Sequence, residues 1–298
     1  MGIPESQLET WSGVGAGEGS KTTYASITAS LEDPAAIYDN RQFDVFLQGS
    51  YGNVTNIFGE SDVDVVARFN GAFLHNIPSL PMNQQQAFHA AYPTTGTYYP
   101  STFKAQVEAA LRRSFGASVM AGKKAIKINP SGNRRSADVV PAFEYHLYSR
   151  FNGPQDSPFV SGIIFTTSTG EQIVNFPKQH SENCTAKHQL TGNRFKPVVR
   201  IFKNIRKKLV AENVIAREIA PSYFIEGLIY NVPSDKFTGT YSNMVFNVLA
   251  WLQIAANRNG LNCANGVHPL FGDGTPVSWP TANAQQFINR TITLWNEW

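Results

Sequence analysis

A chain of 298 residues with 42% hydrophobic and 16% charged side chains can bury a sizeable core, which excludes a disordered segment. No apolar run approaches the ~20 residues of a membrane span, Met1 to Ser20 lacks the cationic and apolar parts of a signal peptide, and two isolated cysteines, Cys184 and Cys263, read as reduced thiols of a cytosolic protein. The net charge of +3 is mildly basic and does not by itself choose among nucleic acid, nucleotide and solvent.

In chain order, the spacing predicts a helical patch over Thr22–Leu31, a strand over Asp44–Leu47, and a second strand from Asp62 to Phe69 after a turn-rich stretch. A helix is expected over Ser101–Phe115. Lys124–Ile128 alternates with a period of two, the run from Pro130 to Asn133 is a hairpin signal, and the return strand is Ala137–Tyr145. Gly162–Thr166 and Gln172–Phe176 bracket a turn at Ser168–Gly170. After Pro177 the pattern turns helical. Val198, Val199, Ile201, Phe202, Ile205 and Leu209 fall near helical spacing among the basic residues of Arg200–Lys208, a run whose ordinary reading is a solvated face. Further helices are expected over Ser222–Tyr230, Tyr241–Asn257 and Thr281–Glu297. The boundary is placed near residue 180, giving a sheet-and-helix part over 1–180 and a helical part over 181–298, with the N-terminal helix either in the first part or crossing to the second.

The chemistry is concentrated in Gln48-Gly49-Ser50-Tyr51, in Ser61-Asp62-Val63-Asp64-Val65-Val66 and in Asp138-Val139-Val140. Alternate side chains of a strand share a face, so Asp62 and Asp64 project together while Val63 and Val65 turn inward. Two like charges on one face repel unless a cation sits between them. If the strand starting near Asp138 neighbours the first, three carboxylates converge. Hard oxygen ligands in that number suit two Mg²⁺ or Mn²⁺ ions that take their remaining ligands from phosphates. Gly49 permits close backbone approach to a phosphate, and the Ser50 hydroxyl adds a donor.

This order of elements resembles the polymerase-β-like nucleotidyltransferases. More closely it is similar to the bacterial cyclic-oligonucleotide synthases, the cGAS/DncV-like nucleotidyltransferases, and within them to clade E. The similarity extends over Glu9-Thr10-Trp11-Ser12, Thr23-Tyr24, Asn175 to His180, Glu182-Asn183, Arg194 to Arg206, Pro221-Ser222-Tyr223 with Glu226, Asn231-Val232-Pro233 and Leu270 to Asp273. The resemblance implies an α+β fold: a polymerase-β-like palm of mixed sheet and helices, and a helical C-terminal lobe closing the nucleotide cleft. It implies a cytoplasmic enzyme of anti-phage defence that joins nucleoside triphosphates into a cyclic di- or trinucleotide, here expected to be a dinucleotide made from two of them, releases pyrophosphate, and passes its product to a separate effector protein. No membrane contact and no stable nucleic-acid complex are expected.

By the same resemblance Asp62, Asp64 and Asp138 are catalytic metal ligands. Lys203 and Ser222 hold the donor's triphosphate, and Tyr223 stacks its base or serves as a core aromatic. Gln48 abuts the glycine turn and contacts phosphate or ribose. Thr166 and Thr167, at a strand end, are candidates for base selection. His180 reads as a hydrogen-bonded structural histidine, while Lys124, Lys127 and Arg134 either touch phosphate or solvate a hairpin. The competing readings are a nucleotidyltransferase that modifies RNA, protein or a small molecule, and an inert nucleotide-binding relative. Three retained and mutually repulsive carboxylates speak against the inert one.

Overall fold

The computed structural model describes residues 2–15, 17–36, 42–59, 62–93 and 96–298. In chain order its elements begin with helices α1 (Glu5–Ser12) and α2 (Glu18–Leu31), strand β1 (Phe43–Leu47), the one-turn helix α3 (Gly49–Gly52), β2 (Val63–His75), α4 (Met82–Ala91) and α5 (Pro100–Phe115). Strands β3 (Val119–Ala121), β4 (Ile126–Ile128), β5 (Ala137–Tyr148), β6 (Phe159–Thr166) and β7 (Gln172–Asn175) follow. Helices α6 (Pro177–Leu190), α7 (Phe195–Ala211), α8 (Ser222–Asn231), α9 (Tyr241–Gln253) and α10 (Thr281–Glu297) complete the chain.

Two units emerge. A sheet unit comprises Gly19–Leu47 and Asp62–Phe176, and a helical unit comprises Met1–Glu18, Gln48–Ser61 and Pro177–Trp298. The sheet unit ends at Phe176 and the helical unit resumes at Pro177, with the earlier segments Met1–Glu18 and Gln48–Ser61 also assigned to the helical unit.

The sheet runs β1-β2-β5-β4-β3, with β6 also on β5 and β7 on β6. β2 and β5 are parallel neighbours, and the other pairs are antiparallel. Both hairpins read from the turn signals, β4–β5 and β6–β7, form as expected. Pro141 lies in a long interior strand, an unusual place for a residue without an N–H. It falls between the stretch of β5 paired with β4 (137–139) and the stretch paired with β6 (143–148), where that side has no ladder to interrupt. One face of the sheet packs Phe69 and Phe143 against Phe103 of α5, with ring centroids 5.6 and 6.1 Å from Phe103. The opposite face buries Val66, Val140, Ala142 and Ile163. Complete burial of each such valine, isoleucine or phenylalanine side chain contributes about 1.5–3 kcal/mol.

In the helical unit, α7 is the spine. Its apolar residues Val198, Val199, Ile201, Phe202, Ile205 and Leu209 are buried in the core with α8, α9 and α10. Four of its basic residues, Lys196, Arg200, Lys203 and Arg206, are buried and not solvated, while Lys207 is exposed. Each of the four reaches a hydrogen-bond acceptor inside the fold. Arg200 donates to the Ser12 carbonyl at 2.6 Å and to the Val54 carbonyl at 2.7 Å. Lys207 donates to the Phe58 carbonyl at 2.7 Å, and Arg206 to the Ala220 carbonyl at 3.1 Å. The bonds to Val54 and Phe58 tie residues 48–59, so far away in sequence, to α7. Arg200→Met keeps most of the stem and removes both carbonyl bonds. It is expected to lower unfolding free energy by about 3 kcal/mol, read as a shifted denaturant midpoint.

Candidate functional site

The sheet unit carries the acidic group. Strand pairing puts Asp64 directly opposite Asp138 across the parallel β2–β5 ladder, and cross-strand partners share a face. Both are half-buried, each at the second residue of its strand, with exposed Asp62 just before β2. The valines between them, Val63, Val65 and Val139, are fully buried on the other face. That alternation forces the carboxylates outward. Burial pushes the Asp138 carboxyl above its ordinary value, the charge of Asp62 pushes it further, and Lys127 opposes the rise. Lys127 is Asp138's partner on β4, so this hairpin lysine has a defined electrostatic neighbour. Arg134, by contrast, covers the Phe115 ring at 4.6 Å and donates to the Asn129 carbonyl, a structural role.

An all-oxygen donor set whose members repel one another fits a hard divalent cation. Among the described residues, the group of His, Cys, Asp and Glu ligand atoms lying within 4.8 Å of one another is a different one: His180, Cys184 and Glu226. In that cluster the carboxylate is already engaged without an ion, although the buried His180 Nδ1 has no hydrogen-bond partner among the described residues. Both Glu226 oxygens accept hydrogen bonds, and burial, reinforced by the Glu226 charge, holds the Cys184 thiol well above its usual range.

The helical unit carries the second group. Gly49 opens α3 at φ +62°, a conformation that favours glycine, and Ser50 follows. The Ser50 hydroxyl accepts from the Lys203 Nζ at 2.9 Å. Lys203 is 1% exposed. Its ammonium also reaches the Thr55 Oγ1 at 3.0 Å, the Thr55 carbonyl at 3.2 Å and the Glu226 Oε1 at 2.5 Å. Glu226 in turn accepts from the Asn53 Nδ2 at 2.8 Å, the Thr55 hydroxyl at 2.5 Å and the His180 Nε2 at 2.7 Å. Burial alone would raise the Glu226 carboxyl, but the Lys203 ammonium and the His180 bond outweigh it and hold the group far below the usual carboxylate range.

Of the other expected residues, Ser222 opens α8, and its hydroxyl accepts from the Arg206 Nη1 at 3.2 Å. Tyr223 is half-buried. One ring face stacks on His180 with centroids 4.8 Å apart, and its hydroxyl accepts from the Asn265 Nδ2 at 2.9 Å. Gln48 is extended and precedes α3 without a side-chain cap bond. Thr166 ends β6 half-exposed, whereas the Thr167 hydroxyl is taken up in the turn by Thr169 and the Glu171 N–H. Sequence reasoning missed the role of Glu226, Thr55 and Asn53. A lone glutamate inside the apolar run 224–229 was the available signal, since a buried charge requires a partner.

Residues 182–296 match the family model for the cGAS/DncV-like nucleotidyltransferase C-terminal helical domain. The chain is 38% identical to the cyclic nucleotide synthase CdnE01 of Staphylococcus haemolyticus, with all of both chains covered. It is 37% identical to the cyclic UMP-AMP synthase of Rhodothermus marinus, over 100% of this chain and 99% of that one. The structure of the Rhodothermus marinus enzyme with Apcpp and Upnpp superposes with a TM-score of 0.89, covering 99% of this chain and 97% of the other. The Elizabethkingia meningoseptica CdnE cyclic dinucleotide synthase with GTP and Apcpp, 30% identical, superposes at 0.78 over 99% and 98%.

Proposed function

The chain belongs to the CdnE cyclic nucleotide synthases of the cGAS/DncV-like nucleotidyltransferase family, enzymes of the polymerase-β-like fold, and on that footing we propose that it condenses two nucleoside triphosphates into a cyclic dinucleotide. The observation that carries the reading is the Asp64–Asp138 pairing, preceded by Asp62, in a chain matched end to end by synthases of this kind. Relatives solved with triphosphates and their analogues support the substrate class.

In this reading Asp62, Asp64 and Asp138 hold two Mg²⁺ or Mn²⁺ ions, which when bound neutralise phosphate charge and ease deprotonation of the acceptor hydroxyl. The acceptor oxygen forms a bond to the α-phosphorus of the donor as the bond to pyrophosphate breaks. Gly49 and the Ser50 hydroxyl, with Gln48 beside them, bind donor phosphate. Lys203 supports that contact, Ser222 lies at the start of α8 to assist it, and Tyr223, whose ring stacks on His180, is the residue that would stack a base. With the Thr167 hydroxyl engaged in its turn, Thr166 is the residue through which base choice would act. A second round of the same chemistry closes the ring. An intermediate held with its free hydroxyl near its own triphosphate gains the rate advantage of proximity. We further propose that the product serves anti-phage defence through a separate effector protein, and that the enzyme works in the cytoplasm. No helix among the described residues is long and apolar enough to cross a membrane.

The test is incubation with the four triphosphates and Mg²⁺, phosphatase treatment, and mass measurement. A phosphatase-resistant mass equal to two nucleoside monophosphates less two waters is the expected result. Linear oligonucleotides, loss of terminal phosphate, or label transferred to RNA or protein would overturn it.

A further inference from the structure

The expectation that Lys203 grips the triphosphate directly meets a geometric obstacle. An ammonium has three protons, and this one faces four acceptors inside the fold: the Ser50 hydroxyl, both oxygens of Thr55 and Glu226. At 1% exposure it has neither a spare proton nor a path to solvent. Ser50 differs. Its oxygen accepts from Lys203, which leaves the hydroxyl proton to donate elsewhere, and Ser50 is half-buried rather than enclosed.

Glu226 is the anchor of this arrangement. Its carboxylate receives bonds from four residues, Asn53, Thr55, His180 and Lys203. Two of them flank Val54, whose φ of +56° is strained for a β-branched residue. The Val54 carbonyl is gripped by Arg200. Such a conformation persists only where its surroundings over-determine it, and here three buried charged side chains do so, within a few residues of Ser50.

We propose that Glu226 is a positioning residue for the donor phosphate, acting through Lys203 and then Ser50, so that Lys203 polarises and aims the Ser50 hydroxyl instead of touching phosphate itself. The proposal rests on the reading that Ser50 binds the donor. A hydrogen-bond chain that begins at a buried ion pair strengthens the donor at its far end. The full effect of Lys203 should therefore pass through one oxygen atom.

That dependence gives the experiment. Affinity for a non-hydrolysable triphosphate analogue, KM and kcat are measured for the full chain and for Ser50→Ala, Lys203→Met, the double variant, Glu226→Gln and Thr55→Val, with melting curves for each. Ser50→Ala is expected to weaken binding by about tenfold or more, the scale of one charge-assisted hydrogen bond. Lys203→Met should do the same, and the double variant should be no weaker than either single one. Glu226→Gln and Thr55→Val should raise KM several-fold with kcat held within about twofold. Thr55→Val changes one hydroxyl, so it decides the matter if the glutamine variant does not fold. Losses that multiply in the double variant would show that Lys203 contacts phosphate independently. An unchanged KM in Thr55→Val would reject the relay. A wild-type chain that binds the analogue normally while Ser50→Ala leaves affinity unchanged would instead remove Ser50 from the donor site, a failure of the underlying reading.

Discussion

Asp62→Asn combined with Asp64→Asn is expected to reduce nucleotide incorporation by roughly 10³-fold or more, while the metal-free protein melts at or above the wild-type temperature. The loss follows from removing two of three anionic ligands. Divalent ions contribute several kilocalories per mole to a phosphoryl-transfer barrier, and each 1.36 kcal/mol is about tenfold in rate. The retained stability follows from the charges themselves. The Asp138 carboxyl is raised by burial and then by Asp62, so without an ion the group carries a cost above its folded pKa. That cost is relieved as pH falls through that value, because a carboxyl with a raised folded pKa favours the protonated native state. The melting advantage of the variant should therefore be largest near neutrality and close on acidification. Adding Mg²⁺ separates the two effects: it should raise the wild-type melting temperature and leave the variant's unmoved. Normal product yield from the variant, or an equal Mg²⁺ shift in both proteins, would remove these aspartates from the metal site.

The acidic group of the sheet unit was readable because it obeys a local rule. Asp62, Asp64 and Asp138 alternate with valines, and a period of two fixes the face of each residue whatever its neighbours are. The same rule located β2, β5 and both hairpins. What escaped is non-local or polar. Helix α6 has only His180 and Cys184 buried among its fourteen residues, so it offers no apolar stripe to find. Helices α1 and α4, of eight and ten residues, are short and follow prolines. The basic run on α7 fits phosphate contact or, in its ordinary reading, a solvated face, yet the buried Lys196, Arg200 and Lys203 recur at intervals of four and three, which is itself one face of a helix. Their acceptors lie up to 188 residues away in sequence, so no window along the chain pairs them. For the same reason the membership of residues 48–61 in the helical unit could not be read locally. The bonds that decide it come from Arg200, Lys203, Lys207 and Glu226.

Glu226→Leu alone is expected to lower stability by about 3–5 kcal/mol, the usual consequence of leaving one member of a buried ion pair without its partner. Lys203 and Glu226 are 1% and 2% exposed in their side chains, and the Nζ–Oε1 distance is 2.5 Å. Removing the carboxylate strands an ammonium where water cannot reach it. Lys203→Met on top of Glu226→Leu should recover a large part of the loss, because two apolar side chains of similar volume replace two charges. Recovery should stop short of complete, since Asn53, Thr55 and His180 also lose an acceptor. The pH dependence has the opposite sign to that of Asp138. A carboxyl whose folded value is depressed contributes stability that is complete above its unfolded pKa, about 4.3, and drains away as pH falls toward the folded value. The gap between wild type and Glu226→Leu should thus be widest near neutrality and narrow in strong acid. Urea midpoints of the four proteins of this cycle, taken at about pH 7 and about pH 3, measure both terms. A double variant as unstable as Glu226→Leu would mean that shape and hydrogen bonding, not the stranded charge, dominate at this position. A double variant restored in stability but still weak in triphosphate binding would show that the ion pair is kept for what it does to Ser50 and not for the fold.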